Sequence, residues 1–153
     1  MKRRTFLKGT VASGMLGVAA SAGLLAPRQV LAAWPMSAFD AKSVDGALDA
    51  LLGSTSHAES NDIKIKAPDI AENGAVVPIT ISTGMAADSI SVLIAKNPSP
   101  LACTFALSGS TQGFVSTRVK MGKTSELIAV VKSGGKLHSA KKTVKVTIGG
   151  CGG

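Results

Sequence analysis

Apolar and polar positions change their period along this chain. Residues 11–26 form a largely apolar, glycine-interrupted stretch. Between residues 37 and 52, Phe39, Val44, Ala47, Leu48, Leu51 and Leu52 recur at helical spacing, which predicts a short amphipathic helix ending at Gly53. Residues 54–61 are polar and read as a linker. From Ile63 onward the period drops to two, in short runs separated by turn residues. The runs are 63–66, 76–81, 89–95, 101–107, 114–120, 126–132 and 137–148. Asn73-Gly74 is a turn signal ahead of the second run, and Ser133-Gly134-Gly135-Lys136 a tight hairpin ahead of the last. Pro78 inside the second run points to an edge strand or a bulge, because proline donates nothing to a ladder. Leu101, Cys103, Phe105 and Leu107 are expected on one face of their strand. Val144, Val146 and Ile148 share one face of the last run.

Seven short strands at this spacing predict a mainly β fold. It is an immunoglobulin-like two-sheet antiparallel β-sandwich with a short N-terminal helix and a flexible C-terminal arm. A small barrel is the alternative architecture. The organisation expected is an export signal over residues 1–32, helix and linker over 33–61, sandwich over 62–148 and arm over 149–153.

The N-terminus explains its own apolar run. Lys2-Arg3-Arg4-Thr5-Phe6-Leu7-Lys8 precedes it and Val30-Leu31-Ala32 closes it, the pattern of a twin-arginine export signal carried by Arg3 and Arg4. Cleavage is expected after Ala32 or Ala33. Gly9, Gly14, Gly17 and Gly23 keep the stretch only mildly hydrophobic, which argues against a permanent span of about 20 strongly apolar residues. The expected location is a bacterial periplasm, without stable membrane anchoring.

Removing the leader changes the charge. Of the net +8, five basic residues lie in the first 33 positions, with no acid among them. The remainder is uneven: residues 40–72 carry seven acids and three lysines, whereas residues 96–145 carry nine basic residues against Glu126 alone. A nucleic-acid role is not expected, since an exported chain with no Tyr, one Trp and four Phe has little to stack on bases. A solvated lysine-rich sheet face accounts for the composition equally well.

The chain closes on Gly149-Gly150-Cys151-Gly152-Gly153. Glycine leaves the backbone around this thiol largely unrestricted, and few side chains shield it. A five-residue arm extends at most about 17 Å. Such a thiol suits delivery into another protein's active site better than work in a site of its own.

Enzyme constellations are missing from the sequence. Cys103 and Cys151 lack redox-motif spacing, and with His57 and His138 they make a weak zinc set, so no metal and no cofactor is expected. No phosphate loop or nucleophile elbow is present. His57 falls in the linker and is expected to be solvated. His138 begins the last strand, too far from Cys151 to serve it as a base, and reads as a surface or packed histidine. Cys103 reads as a buried free cysteine, with a disulfide to Cys151 as its rival.

The glycine-framed Cys151, the preceding Lys145-Val146-Thr147-Ile148 and the segment 129–137 (AVVKSGGKL) closely resemble the SoxY family of sulfur-oxidation proteins. The segments 72–78 and 115–121 and the leader are similar as well. Cys103 is additional to the family pattern, and His138 stands where an aromatic is expected. The resemblance implies a non-enzymatic carrier that holds sulfur intermediates on Cys151, with Gly149, Gly150, Gly152 and Gly153 giving the arm its freedom. It implies a heterodimer with SoxZ and transient encounters with SoxAX, SoxB and, where present, SoxCD. Two other classes stand beside it: a periplasmic immunoglobulin-like binding module with a disordered tail, and a thiol redox protein.

Overall fold

The computed structural model describes residues 35–147. The export-signal segment with Arg3 and Arg4, and the C-terminal glycines with Cys151, lie outside the described residues. The elements in order are α1 (Met36–Asp40), α2 (Val44–Leu52), β1 (Ala58–Glu59), β2 (Ile63–Lys66), β3 (Ile70–Ala71), β4 (Val77–Thr83), β5 (Ser89–Ile94), β6 (Leu101–Ala106), β7 (Phe114–Val119), β8 (Ser125–Ser133) and β9 (Lys136–Val146).

Where one helix was expected, the chain makes two. Ser43 adopts extended backbone, φ −131° and ψ 155°, and its Oγ accepts from the Gly46 N–H at 3.1 Å. That cap starts a new helix and separates it from the first. Gly53 ends α2 as expected, in the left-handed conformation with φ 71° and its N–H on Asp49 O at 2.8 Å.

The seven expected strands form two sheets. β2, β4 and β7 make a three-stranded antiparallel sheet. The larger sheet runs β1-β9-β8-β5-β6, with β3 also paired to β9. Its main ladders are antiparallel, whereas β1 and β3 add in parallel at opposite ends of the outer edge of β9. These two short additions occupy a backbone edge that would otherwise stand open. The β8–β9 hairpin turns on Gly134 and Gly135, at φ 54° and 78°, a conformation that two successive glycines adopt without strain.

The sheets pack through an aliphatic core. Val77, Ile79 and Ile81 of β4, with Val115 and Val119 of β7, face Ile90, Val92 and Ile94 of β5, Leu127, Ala129 and Val131 of β8, and Val144 of β9. A second core lies on the other face of the larger sheet. There Ala38, Ala47 and Leu48 from the helices meet Leu93, Leu101, Ile128, Val130 and Leu137. β8 is therefore buried on both faces, and its unbroken Leu127-Ile128-Ala129-Val130-Val131 run is the sequence mark of that position.

Two expectations about faces and edges are corrected. Pro78 does not mark an edge strand or a bulge, because β4 is the central strand of its sheet. β2 ends at Lys66 opposite Thr80, however, so Pro78 has a strand neighbour on the β7 side alone, at Arg118. Leu101 does not share a face with Cys103 and Phe105. Val92 pairs with Cys103 but Leu93 with Leu101, so a bulge leaves Ala102 as the extra residue and turns Leu101 toward the helices. The last strand ends at Val146; Ile148 lies outside the described residues.

Candidate functional site: the root of the cysteine arm

The chain is held up to Thr147, the last described residue. On one edge of β9, Lys145 N–H donates to Asp69 O at 2.9 Å and Thr147 N–H to Ala71 O at 3.1 Å. On the other, Val146 N–H donates to Thr124 Oγ1 at 2.9 Å, and the Thr124 hydroxyl donates back to Val146 O at 3.4 Å. Residues 145–147 are thus clamped between β3 and the entry to β8. Cys151 follows four residues later, a covalent reach of at most about 14 Å from Thr147.

The loops around this root are tied to one another. The Asn97 side chain donates to Lys120 O at 2.7 Å and accepts from Gly122 N–H at 3.1 Å. Lys96 N–H donates to Ser125 Oγ at 2.9 Å, and Met121 N–H to Gly74 O at 2.7 Å. Gly74 is required there, because a Cβ would run into Met121 O and the Val146 side chain. Asn73 forms the expected turn, accepting from Ala75 N–H at 2.9 Å through its side chain.

Charge separates along the sequence but partly rejoins in space. Lys142, half-buried, lies 3.0 Å from Asp69 Oδ1 and donates to Ala67 O at 2.6 Å. Lys141 lies 3.5 Å from Glu59. The acidic segment therefore supplies the two short parallel strands that border the basic last strand. Both partner carboxylates are exposed, so each pair contributes little, about 0–1 kcal/mol.

The other candidate residues fall elsewhere. His57 is not freely solvated as expected: it is half-buried, and its Nδ1 shares a 2.8 Å hydrogen bond with Ser139 Oγ. A two-residue strand such as β1 has no periodicity, so this segment reads as linker in the sequence although it pairs with β9. β1 also sets Ala58 opposite His138, which brings the two histidines into the same neighbourhood. No group of three or more His, Cys, Asp or Glu suited to a metal ion occurs among the described residues. Ser139 is fully buried, so this hydroxyl–imidazole pair ties the chain to β9 and presents no nucleophile to a substrate. His138 sits at the opposite end of β9 from Val146, about 26 Å away along the strand.

Cys103 is half-buried and packs against the core between the sheets. Burial pushes its thiol up from the ordinary 9.0 to about 11, so it stays protonated and unreactive at neutral pH. Its row in the larger sheet is Cys103, Val92, Ala129, Ala140. Three strand spacings therefore separate it from β9, about 14 Å, and seven residues along β9 separate that row from Thr147, about 23 Å. The resulting separation of about 27 Å exceeds the reach of four extended residues plus the widest disulfide, about 21 Å. A disulfide to Cys151 within one chain is out of range.

No helix among the described residues is long and apolar enough to cross a membrane. No curated protein matches the chain. The structure of the sulfur carrier protein SoxY from Chlorobium limicola f thiosulfatophilum is similar to it, at 45% sequence identity and a TM-score of 0.64, covering 69% of this chain and 97% of that one. The family model described as sulfur oxidation protein SoxY matches residues 48–151, running through both cores and the clamped root to the cysteine itself. On that match, which covers most of its length, the chain belongs to the SoxY family.

Proposed function

We propose that this protein is a covalent sulfur carrier of periplasmic thiosulfate oxidation, holding its intermediates on Cys151 and presenting them to partner enzymes. The observation that carries the reading is the contrast between its two thiols. Cys103 is buried and held protonated. Cys151 lies four residues beyond a clamped strand, between glycine pairs, inside the segment the family match covers. The Chlorobium relative is a sulfur carrier protein, which supports the same assignment.

In this reading SoxAX removes an electron pair and a proton as the Cys151 sulfur joins the outer sulfur of thiosulfate. The product is a thiosulfonate anion on the arm. SoxB then adds water across the terminal sulfur–sulfur bond, releasing sulfate and leaving a persulfide. Where SoxCD is present it oxidises the persulfide sulfur, and a second hydrolysis frees the thiol. The chain itself supplies no acid, base or metal to these steps; it positions a nucleophilic sulfur. SoxZ is the stable partner, and the twin-arginine leader at Arg3 and Arg4 brings the chain to the periplasm. Gly149, Gly150, Gly152 and Gly153 let the loaded arm enter narrow sites.

Intact mass measurement tests the proposal. Mature protein incubated with thiosulfate and the SoxAX and SoxZ partners should gain thiosulfate-derived mass on Cys151. Cys151→Ser should gain none, and Cys103→Ala should load like wild type. A wild type that stays a free thiol, or loading that depends on Cys103, overturns it.

A further inference from the structure

The basic residues of this chain are not evenly neutralised. Lys141 and Lys142 have carboxylate partners in Glu59 and Asp69. Lys96, Lys120, Lys123 and Lys145 are exposed, and none is in an ion pair among the described residues. All four gather at one end of the sandwich. Lys96 follows β5 and bonds the first residue of β8; Lys120 follows β7 and is held by Asn97; Lys123 enters β8 beside Thr124; Lys145 lies in the clamped root. The acids nearby are Asp69, which Lys142 already pairs, and Glu72 and Glu126, so the end keeps a positive excess.

Reach keeps this end close to any enzyme that acts on Cys151. Four residues carry the thiol at most about 14 Å from Thr147. An active site set deeper than that beneath an enzyme's surface brings the rim of its entrance onto the lysines around the root. Charges at that range lie within about one to two Debye lengths of the rim, where they still steer encounter.

From this geometry we infer that Lys96, Lys120, Lys123 and Lys145 form a docking collar, fitted to partner enzymes whose active-site entrance is ringed by carboxylates. The inference rests on the carrier reading and adds the surface and the partner chemistry to it. Rim charges of this kind act mainly on the rate of encounter and on its salt dependence.

The test uses full mature carrier in complex with SoxZ, loaded with thiosulfate, and the hydrolase SoxB as the probe. Sulfate release is followed from about 20 mM to about 0.3 M salt, a range over which the screening length falls severalfold. Lys96→Gln, Lys120→Gln, Lys123→Gln and Lys145→Gln are combined in one variant. A second variant, Lys132→Gln with Lys136→Gln, removes charge at the hairpin end. The collar variant should lose about tenfold in kcat/KM at low salt, nearly all in KM, and its salt dependence should flatten. Its alkylation by neutral iodoacetamide and its melting temperature should match wild type. The hairpin variant should behave as wild type. Unchanged KM and salt slope in a collar variant that still loads overturns the collar and leaves the carrier standing, as does an equal loss in the hairpin variant. A wild type that takes up no thiosulfate overturns both.

Discussion

Cys103 shows how burial disarms a thiol. Its folded value of about 11 lies above the 9.0 of an exposed thiol, so folding favours the protonated form. The associated stability is complete below pH 9.0 and is lost as pH rises through about 11. Wild type should therefore weaken over that alkaline window by about 1 kcal/mol relative to Cys103→Ala, once the partial exposure of the thiol is allowed for. Urea unfolding at neutral and alkaline pH checks this; parallel pH profiles for the two proteins would refute it. At Thr124 the hydroxyl serves both backbone groups of Val146. Thr124→Val should cost about 1 kcal/mol and speed hydrogen exchange at Val146 while leaving the amides of β5 protected.

At the scale of elements, the helices do more than precede the sandwich. Leu48 of α2 is fully buried against the outer face of the larger sheet, among Leu93, Leu101, Ile128, Val130 and Leu137. Leu48→Ala should destabilise the domain by about 2–5 kcal/mol, read in denaturant midpoint, through lost transfer energy and the cavity left behind. Thiosulfate loading of the folded fraction should be unaffected, since the cluster that Leu48 packs into contains none of residues 145–147. Gly74→Ala makes the opposite case. Its methyl group meets Met121 O and the Val146 side chain. The strain belongs to the root itself and should cost about 1–3 kcal/mol, as overpacking does. Local exchange at residues 145–147 distinguishes the two variants.

Over the whole molecule, the described body ends four residues short of the thiol. The sandwich holds residues 145–147 on two edges, and the covalent reach of the thiol is set by the four residues beyond them. Replacing Gly150 and Gly152 with Val adds branched bulk and narrows the backbone on both sides of the thiol. Melting temperature and alkylation by a small reagent should be unchanged, and turnover by the partner enzymes should fall by more than tenfold, an effect of access of about 1.4 kcal/mol or more on the barrier. Equal turnover for variant and wild type would mean that the glycines are not there for access.

Much of this molecule is legible in its sequence alone. Short β-type runs from Ile63 onward, with glycine and proline between them, located all seven principal strands: alternation marks a half-buried pleat, and an unbroken apolar run such as 127–131 marks a strand buried on both faces. The glycine-framed Cys151 was legible for the same local reason. Other features depended on which segments met. Residues 58–59 and 70–71 become strands only because β9 offers them an open edge, and two residues carry no period of their own. The face of Leu101 was set by a bulge defined by its partner Leu93 rather than by β6. Pro78 sits in a central strand because β2 stops short of it, a matter of register. Likewise the pairing of Lys142 with Asp69, and the gathering of Lys96, Lys120, Lys123 and Lys145 at one end of the sandwich, join residues far apart in the chain. Local chemistry determined the strands and the thiol; long-range strand pairing alone decided edges, faces and neighbours, because those are properties of two segments at once.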